Sequence, residues 1–186
     1  MTSHIGIVLL VLLVLVGLWV MGVYNGLISL KNQVLNAWKQ IDVQLKRRHD
    51  LIPNLVNTVK GAMEFERGTL EAVISARAKA LSATGVAATA KAEGELTQAV
   101  GKLFALAENY PELKSSANVL QLQEELGGTE NKISFARQLY NDTATQYNTK
   151  QAQFPTNLVA GLAKASPAEL WQITDEGERA VPKVQL

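Results

Sequence analysis

The sequence predicts an all-α protein: an N-terminal transmembrane helix, then an antiparallel four-helix bundle, then a short helical and extended C-terminal tail. Three observations carry this. Ile5 to Val23 is an unbroken run of Ile, Val, Leu, Trp, Met and Gly. The apolar residues beyond it recur at helical spacing and not in alternation. The prolines, at 53, 111, 155, 167 and 182, leave long stretches in which a helix can run. The expected domains are an anchor over 1–26, a bundle over 27–154 and a tail over 155–186.

The first element is the anchor. Residues 1–30 carry no Lys, Arg, Asp or Glu. As a helix, Ile5–Val23 spans roughly 28 Å, about the thickness of a bilayer core. A helix satisfies its own backbone there, and Trp19 and Tyr24 suit the headgroup level at its C-terminal end. The start of the chain lacks the basic n-region and the small-residue cleavage site of a signal peptide, so the expectation is a retained anchor. Lys31 and Lys39 follow it, and the N-terminal side offers only the α-amino group and His4. The positive-inside rule then puts the N-terminus outside and the bundle in the cytoplasm, at a bacterial cytoplasmic (inner) membrane. Gly22 and Gly26 have the small-xxx-small spacing that lets two membrane helices approach closely, although glycine is common in such helices without pairing.

Four apolar stripes follow. Val34, Trp38, Ile41, Leu45 and Ile52 form the first; Leu55, Val59, Met63 and Leu70, with Val73 and Ala76, the second. Leu96, Val100, Leu103 and Ala107 form the third. In the fourth, Val119, Leu126, Ile133, Tyr140, Tyr147 and Phe154 recur every seven residues, a heptad pattern that favours shallow left-handed packing. Gly127-Gly128 falls inside this stripe without shifting its phase, which predicts one strained or bent helix and not two. Turns are expected around Gly85 and at Asn109-Tyr110-Pro111. Another is expected at Asp50-Leu51-Ile52-Pro53, with Asp50 capping a new helix and Pro53 in its first turn. Phe154-Pro155 closes the last long helix.

In the tail, Leu158, Val159 and Leu162 make a short apolar face. Ser166-Pro167-Ala168-Glu169 reads as a capping box that starts a short helix through Leu170, Trp171 and Ile173. Val181 to Val184 reads as extended. These tail residues either dock on the bundle or contact a membrane surface or a neighbouring subunit; Leu158, Val159, Leu162, Leu170 and Trp171 are the candidates.

Chemistry is sparse. With 18 basic and 17 acidic residues the net charge is +1, so no nucleic-acid partner is expected. There is no cysteine, and His4 and His49 are the only histidines. This removes thiolate catalysis, disulfides and most metal sites. Paired glutamates occur without a Glu-x-x-His partner, and no phosphate loop, nucleophile elbow or zincin motif is present. No catalytic residue, cofactor or metal is expected. The one unusual string is Lys46-Arg47-Arg48-His49-Asp50. Lys46, Arg47 and Arg48 either bind an anion or form a solvated basic helix end. On a straight helix, Lys46 stands roughly 33 Å beyond Tyr24, several Debye lengths from that bilayer. His49 has no ligand partner at helical spacing and reads as a hydrogen-bonded structural residue.

Those residues carry a resemblance. Tyr24-Asn25-Gly26-Leu27, Ala37-Trp38, Ile41-Asp42-Val43-Gln44-Leu45 and above all Lys46 through Val56 resemble the LemA family of bacterial membrane proteins. So do Leu122-Gln123-Glu124-Glu125-Leu126, Gly128-Thr129-Glu130-Asn131, Tyr140-Asn141 and Phe154-Pro155 with Asn157-Leu158. The likeness covers about residues 5–165. Gly127 departs from the polar residue common at that position, and the tail beyond 165 matches loosely. The resemblance implies one membrane helix, a four-helix bundle and no established catalytic activity. It associates the chain with membrane and envelope processes, including a relative connected with magnetosome membranes.

The leading expectation is a non-enzymatic, membrane-anchored scaffold that forms a homo-oligomer. The alternatives are an adaptor that recruits an envelope protein through the tail or a bundle face, and an anion or headgroup sensor built on Lys46, Arg47 and Arg48.

Overall fold

The computed structural model describes residues 2–172, with side chains from residue 4 onward. Among the described residues the regular elements are all helices. Four helices are long: α1 (Thr2–Val59), α2 (Arg67–Ser82), α3 (Val86–Ala107) and α5 (Ala117–Ala152). Two are single turns, α4 (Pro111–Lys114) and α6 (Asn157–Ala160). The turns at Gly85 and at Asn109–Pro111 form as expected. Gly85 has φ +86°, a left-handed backbone that costs glycine nothing. The Gly127-Gly128 pair does not interrupt α5.

The chain divides into two compact units. One comprises residues 1–38 and 139–168. In it the apolar run of α1 is exposed from Ile5 to Trp19. A helix with a row of large aliphatic side chains facing outward over that length is long and apolar enough to cross a membrane. Burial begins with Val20 and Val23, half-covered, and continues through Leu27, Val34 and Ala37. Tyr140, Ala144 and Tyr147 of α5 are buried in the same unit, and Trp38 meets Tyr140 edge-on at 5.4 Å between ring centroids.

The other unit comprises residues 39–138 and the segment from 169 onward. Here α1, α2, α3 and α5 share one core. Ile52, Leu55 and Val59 come from α1, Leu70 and Val73 from α2, Leu96 and Leu103 from α3, and Val119 and Leu126 from α5. Leu113 of α4 joins it.

Three expectations are corrected. The turn at Asp50-Leu51-Ile52-Pro53 does not form: α1 runs through it, with Pro53 inside the helix, and the chain turns at 60–66 instead. Proline removes one intrahelical hydrogen bond, to the carbonyl four residues earlier. That carbonyl belongs to His49, and Arg77 Nε of α2 donates to it at 2.8 Å. Second, Phe154 leaves the heptad stripe, because α5 ends at Ala152 and Phe154 is exposed. Third, the segment 165–172 is not helical. Asn148 holds Ala168 from both sides: its Oδ1 accepts the Ala168 N–H at 2.7 Å and its Nδ2 donates to the Ala168 carbonyl at 2.8 Å. A backbone unit held this way is withdrawn from a helix. Ile173 and Val181–Val184 lie outside the described residues.

Candidate functional site

Arg48 occupies a core position of α1. It falls in the seven-residue series Leu27, Val34, Ile41, Arg48, Leu55, every member of which is buried. A guanidinium there needs compensation for its lost hydration. It has three partners. Nη1 lies 3.1 Å from Glu93 Oε2 and 3.2 Å from Glu130 Oε2, and Nη2 donates to Thr97 Oγ1 at 2.7 Å. His49 Nε2 donates to the second oxygen of Glu93 at 2.6 Å, since a carboxylate beside a guanidinium is an acceptor. Arg48, His49 and Glu93 are only 5%, 6% and 3% exposed. Arg137 Nη2 lies 3.6 Å from Glu130 Oε1, and the Arg137 guanidinium sits 5.7 Å from the centroid of the Trp171 ring.

This cluster draws on every long helix: Arg48 and His49 from α1, Arg77 from α2, Glu93 and Thr97 from α3, Glu130 and Arg137 from α5. Both Glu93 oxygens are committed to neighbours. Chemically the arrangement is suited to fixing helix register. A buried polar match penalises any slip of one helix against another, because a slip leaves a charge unpaired in the core.

The sequence-derived candidates therefore separate. Lys46 and Arg47 are exposed, and Arg48 turns inward onto two carboxylates. Gly22 and Gly26 are exposed, with open space where a Cβ would project. Leu158 and Leu162 are exposed while Val159 and Trp171 are buried; Leu170 lies at the surface. In the sequence Glu93 reads as one of the solvated paired glutamates and Glu130 only as part of the family string, and neither they nor Arg77 are expected in a buried cluster. Glu93 could have been found: it stands three residues before Leu96, on the apolar stripe of α3, where a charge demands a partner.

At the turn after α1, Tyr110 donates from its hydroxyl to Glu66 Oε1 at 3.2 Å. Burial, and then the hydrogen bond to Glu66 and its negative charge, hold this phenol above the usual tyrosine value of 10.0. A cleft of about 780 Å³ opens between the end of α1 and α2, lined by residues that include Lys60, Glu64, Arg67 and Glu71. No group of His, Asp and Glu among the described residues has the arrangement of a metal site.

Among the described residues these features define a class: an all-helical protein with one membrane-length apolar segment and a helical core pinned by buried ion pairs. The chain belongs to the LemA family, whose profile matches residues 37–186. The match takes in the whole Arg48 cluster and extends through the tail, past residue 165. Protein LemA of Metamycoplasma hominis is 33% identical over 138 residues, covering 73% of this chain. The chain spans 63% of that relative's length. Magnetosome proteins MamQ 1 and MamQ 2 of Paramagnetospirillum magneticum are each 22% identical over 189 residues, covering 88% of this chain and 70% of theirs.

Proposed function

We propose that the chain is a non-catalytic scaffold, held in the bacterial cytoplasmic membrane by Ile5–Val23, whose antiparallel four-helix bundle associates with further copies of itself. The carrying observation is a contrast in how side chains are spent. The buried Arg48, His49 and Glu93 are committed to one another, whereas Val43 of α1 and Phe135 of α5 are exposed large apolar residues. Arg48 and Glu130, on the same two helices, support the antiparallel pairing: five residues on from Val43 along α1 is met by five residues back from Phe135 along α5. Val43 and Phe135 then stand level along the two helices, each an apolar residue on an outward face available to a second copy. Gly22 and Gly26 add a surface for contact within the membrane. Lys31, Lys39, Lys46 and Arg47 favour a cytoplasmic bundle.

Mass photometry of the full-length protein in native nanodiscs tests this. A defined multimer that Val43→Glu or Phe135→Glu reduces to smaller species supports it. A monomer at every protein-to-lipid ratio overturns it. An adaptor role for residues 166–172 is less favoured, since Ala168 and Trp171 already serve contacts within the chain.

A further inference from the structure

After α5 the chain folds into a hook over residues 153–164. Its carbonyls at Thr156 and Val159 accept helical hydrogen bonds from Ala160 and Ala163. Lys164, in a left-handed conformation at φ 46°, closes it, with the Ala165 N–H returning to the Ala160 carbonyl. The hook is two-faced. Thr156, Val159 and Ala163 are buried, whereas Phe154, Leu158 and Leu162 are 79%, 67% and 69% exposed. Ordering three large apolar side chains toward water is unfavourable, so this face calls for a non-aqueous neighbour.

Its position identifies that neighbour. Trp38 touches Tyr140, and the unit joins residues 1–38 to 139–168, so α5 runs back along α1 toward the anchor. From Tyr140 to the end of α5 at Ala152 is about 18 Å of helix. The same length back along α1 from Trp38 ends at Gly26, only three residues from the last residue of the apolar run. Val20 and Val23, inside that run, are already half-covered, whereas Ile5 to Trp19 are open. The hook therefore stands where α1 leaves the lipid. Charge agrees with this. In this unit Lys31, Lys150 and Lys164 lie toward the anchor end, and the single acidic residue, Asp142, lies about 12 Å along α5 from Lys150. Cations at that level match anionic headgroups.

We propose that residues 153–164 are a membrane foot: Phe154, Leu158 and Leu162 dip into the boundary between headgroups and acyl chains of the leaflet from which α1 emerges, and Lys150 and Lys164 meet anionic headgroups. The foot gives the protein a second attachment to one bilayer and fixes the tilt of α1, as an interfacial amphipathic segment does. It rests on the reading of Ile5–Val23 as a membrane span.

The chain has no cysteine, so single-cysteine labelling has no background. Leu158→Cys, Leu162→Cys, Leu10→Cys and Leu120→Cys are made in the full-length protein, labelled with an environment-sensitive fluorophore and reconstituted in vesicles containing phosphatidylglycerol. Quenching is read with nitroxides placed high or deep on the acyl chain. The expected result is a blue shift at 158 and 162 with stronger quenching by the shallow nitroxide, deep quenching at 10, and water-like emission at 120. Lipid quenching at 10 with water-like emission at 158 and 162 overturns the foot and leaves the anchor intact. A blue shift at 158 and 162 without lipid quenching also overturns it, by showing that protein covers the face. No quenching at position 10 overturns anchor and foot together.

Discussion

Arg77 completes a helix that Pro53 would otherwise break. Its Nε donates at 2.8 Å to the His49 carbonyl, the acceptor that the missing Pro53 N–H leaves open. Arg77→Met should lower stability by about 1–3 kcal/mol, the cost of an orphaned buried carbonyl. Pro53→Ala restores an N–H to that acceptor, so the two changes together should lose less than their sum predicts. Urea unfolding of the four members of this cycle gives the coupling. Strict additivity would show that the Arg77 bond does not substitute for the helical one.

The pairing of Arg48 and His49 with Glu93 predicts an asymmetry between one change and two. Glu93→Ala leaves a buried guanidinium facing a cavity and should cost about 3–5 kcal/mol. Arg48→Met with Glu93→Leu removes the guanidinium and the carboxylate together, while Glu130 keeps Arg137. The double variant should recover much of the loss. It should also broaden the amide spectrum of the bundle if the cluster sets register. A double variant that is stable with unchanged, sharp spectra would assign register to the apolar core alone.

The sequence disclosed what repeats and concealed what reaches. Val119, Leu126, Ile133, Tyr140 and Tyr147 sit every seven residues, and α5 follows from them despite Gly127-Gly128, because periodic burial outweighs local propensity. Pro53 lies inside α1, against the rule that proline starts or ends a helix, because that rule is local and the compensating donor is on another helix. The segment 165–172 is non-helical for the same reason: Ser166-Pro167-Ala168-Glu169 has local helix-starting signals, yet Asn148 captures Ala168 from twenty residues away. At the candidate site, Lys46-Arg47-Arg48 read as one basic run, and only the helical phase separates them. Arg48 belongs to the buried series from Leu27 to Leu55, and its two neighbours do not.

Tyr110 predicts behaviour at high pH. Its folded-state value lies above the ordinary 10.0, so folding favours the neutral phenol. That contribution is present in full below pH 10 and is lost as pH rises through the raised value, where the phenolate would face Glu66. Tyr110→Phe should therefore flatten the decline of melting temperature above pH 10 relative to the wild type, and Glu66→Gln should move it in the same direction. Parallel melting curves of wild type and Tyr110→Phe across that range would remove Tyr110 as the cause.

Gly127 and Gly128 offer a test that links stability to association. Both are exposed in the interior of α5, with nothing within 4 Å of an added Cβ. In an isolated chain, alanine at either position should raise stability by about 0.5–1 kcal/mol through lower unfolded-state entropy and better helix propensity. The isolated fold gives no steric reason for glycine there, so a close approach by another copy is what would set a cost on the Cβ. The scaffold reading thus predicts opposite signs in two measurements. Gly127→Ala with Gly128→Ala should melt higher under dilute, dissociating conditions and yield smaller particles in nanodiscs if α5 lies in the contact. Higher stability with an unchanged particle mass would place the contact away from Gly127 and Gly128, with Phe135 farther along α5 and Val43 on α1 the next residues to alter.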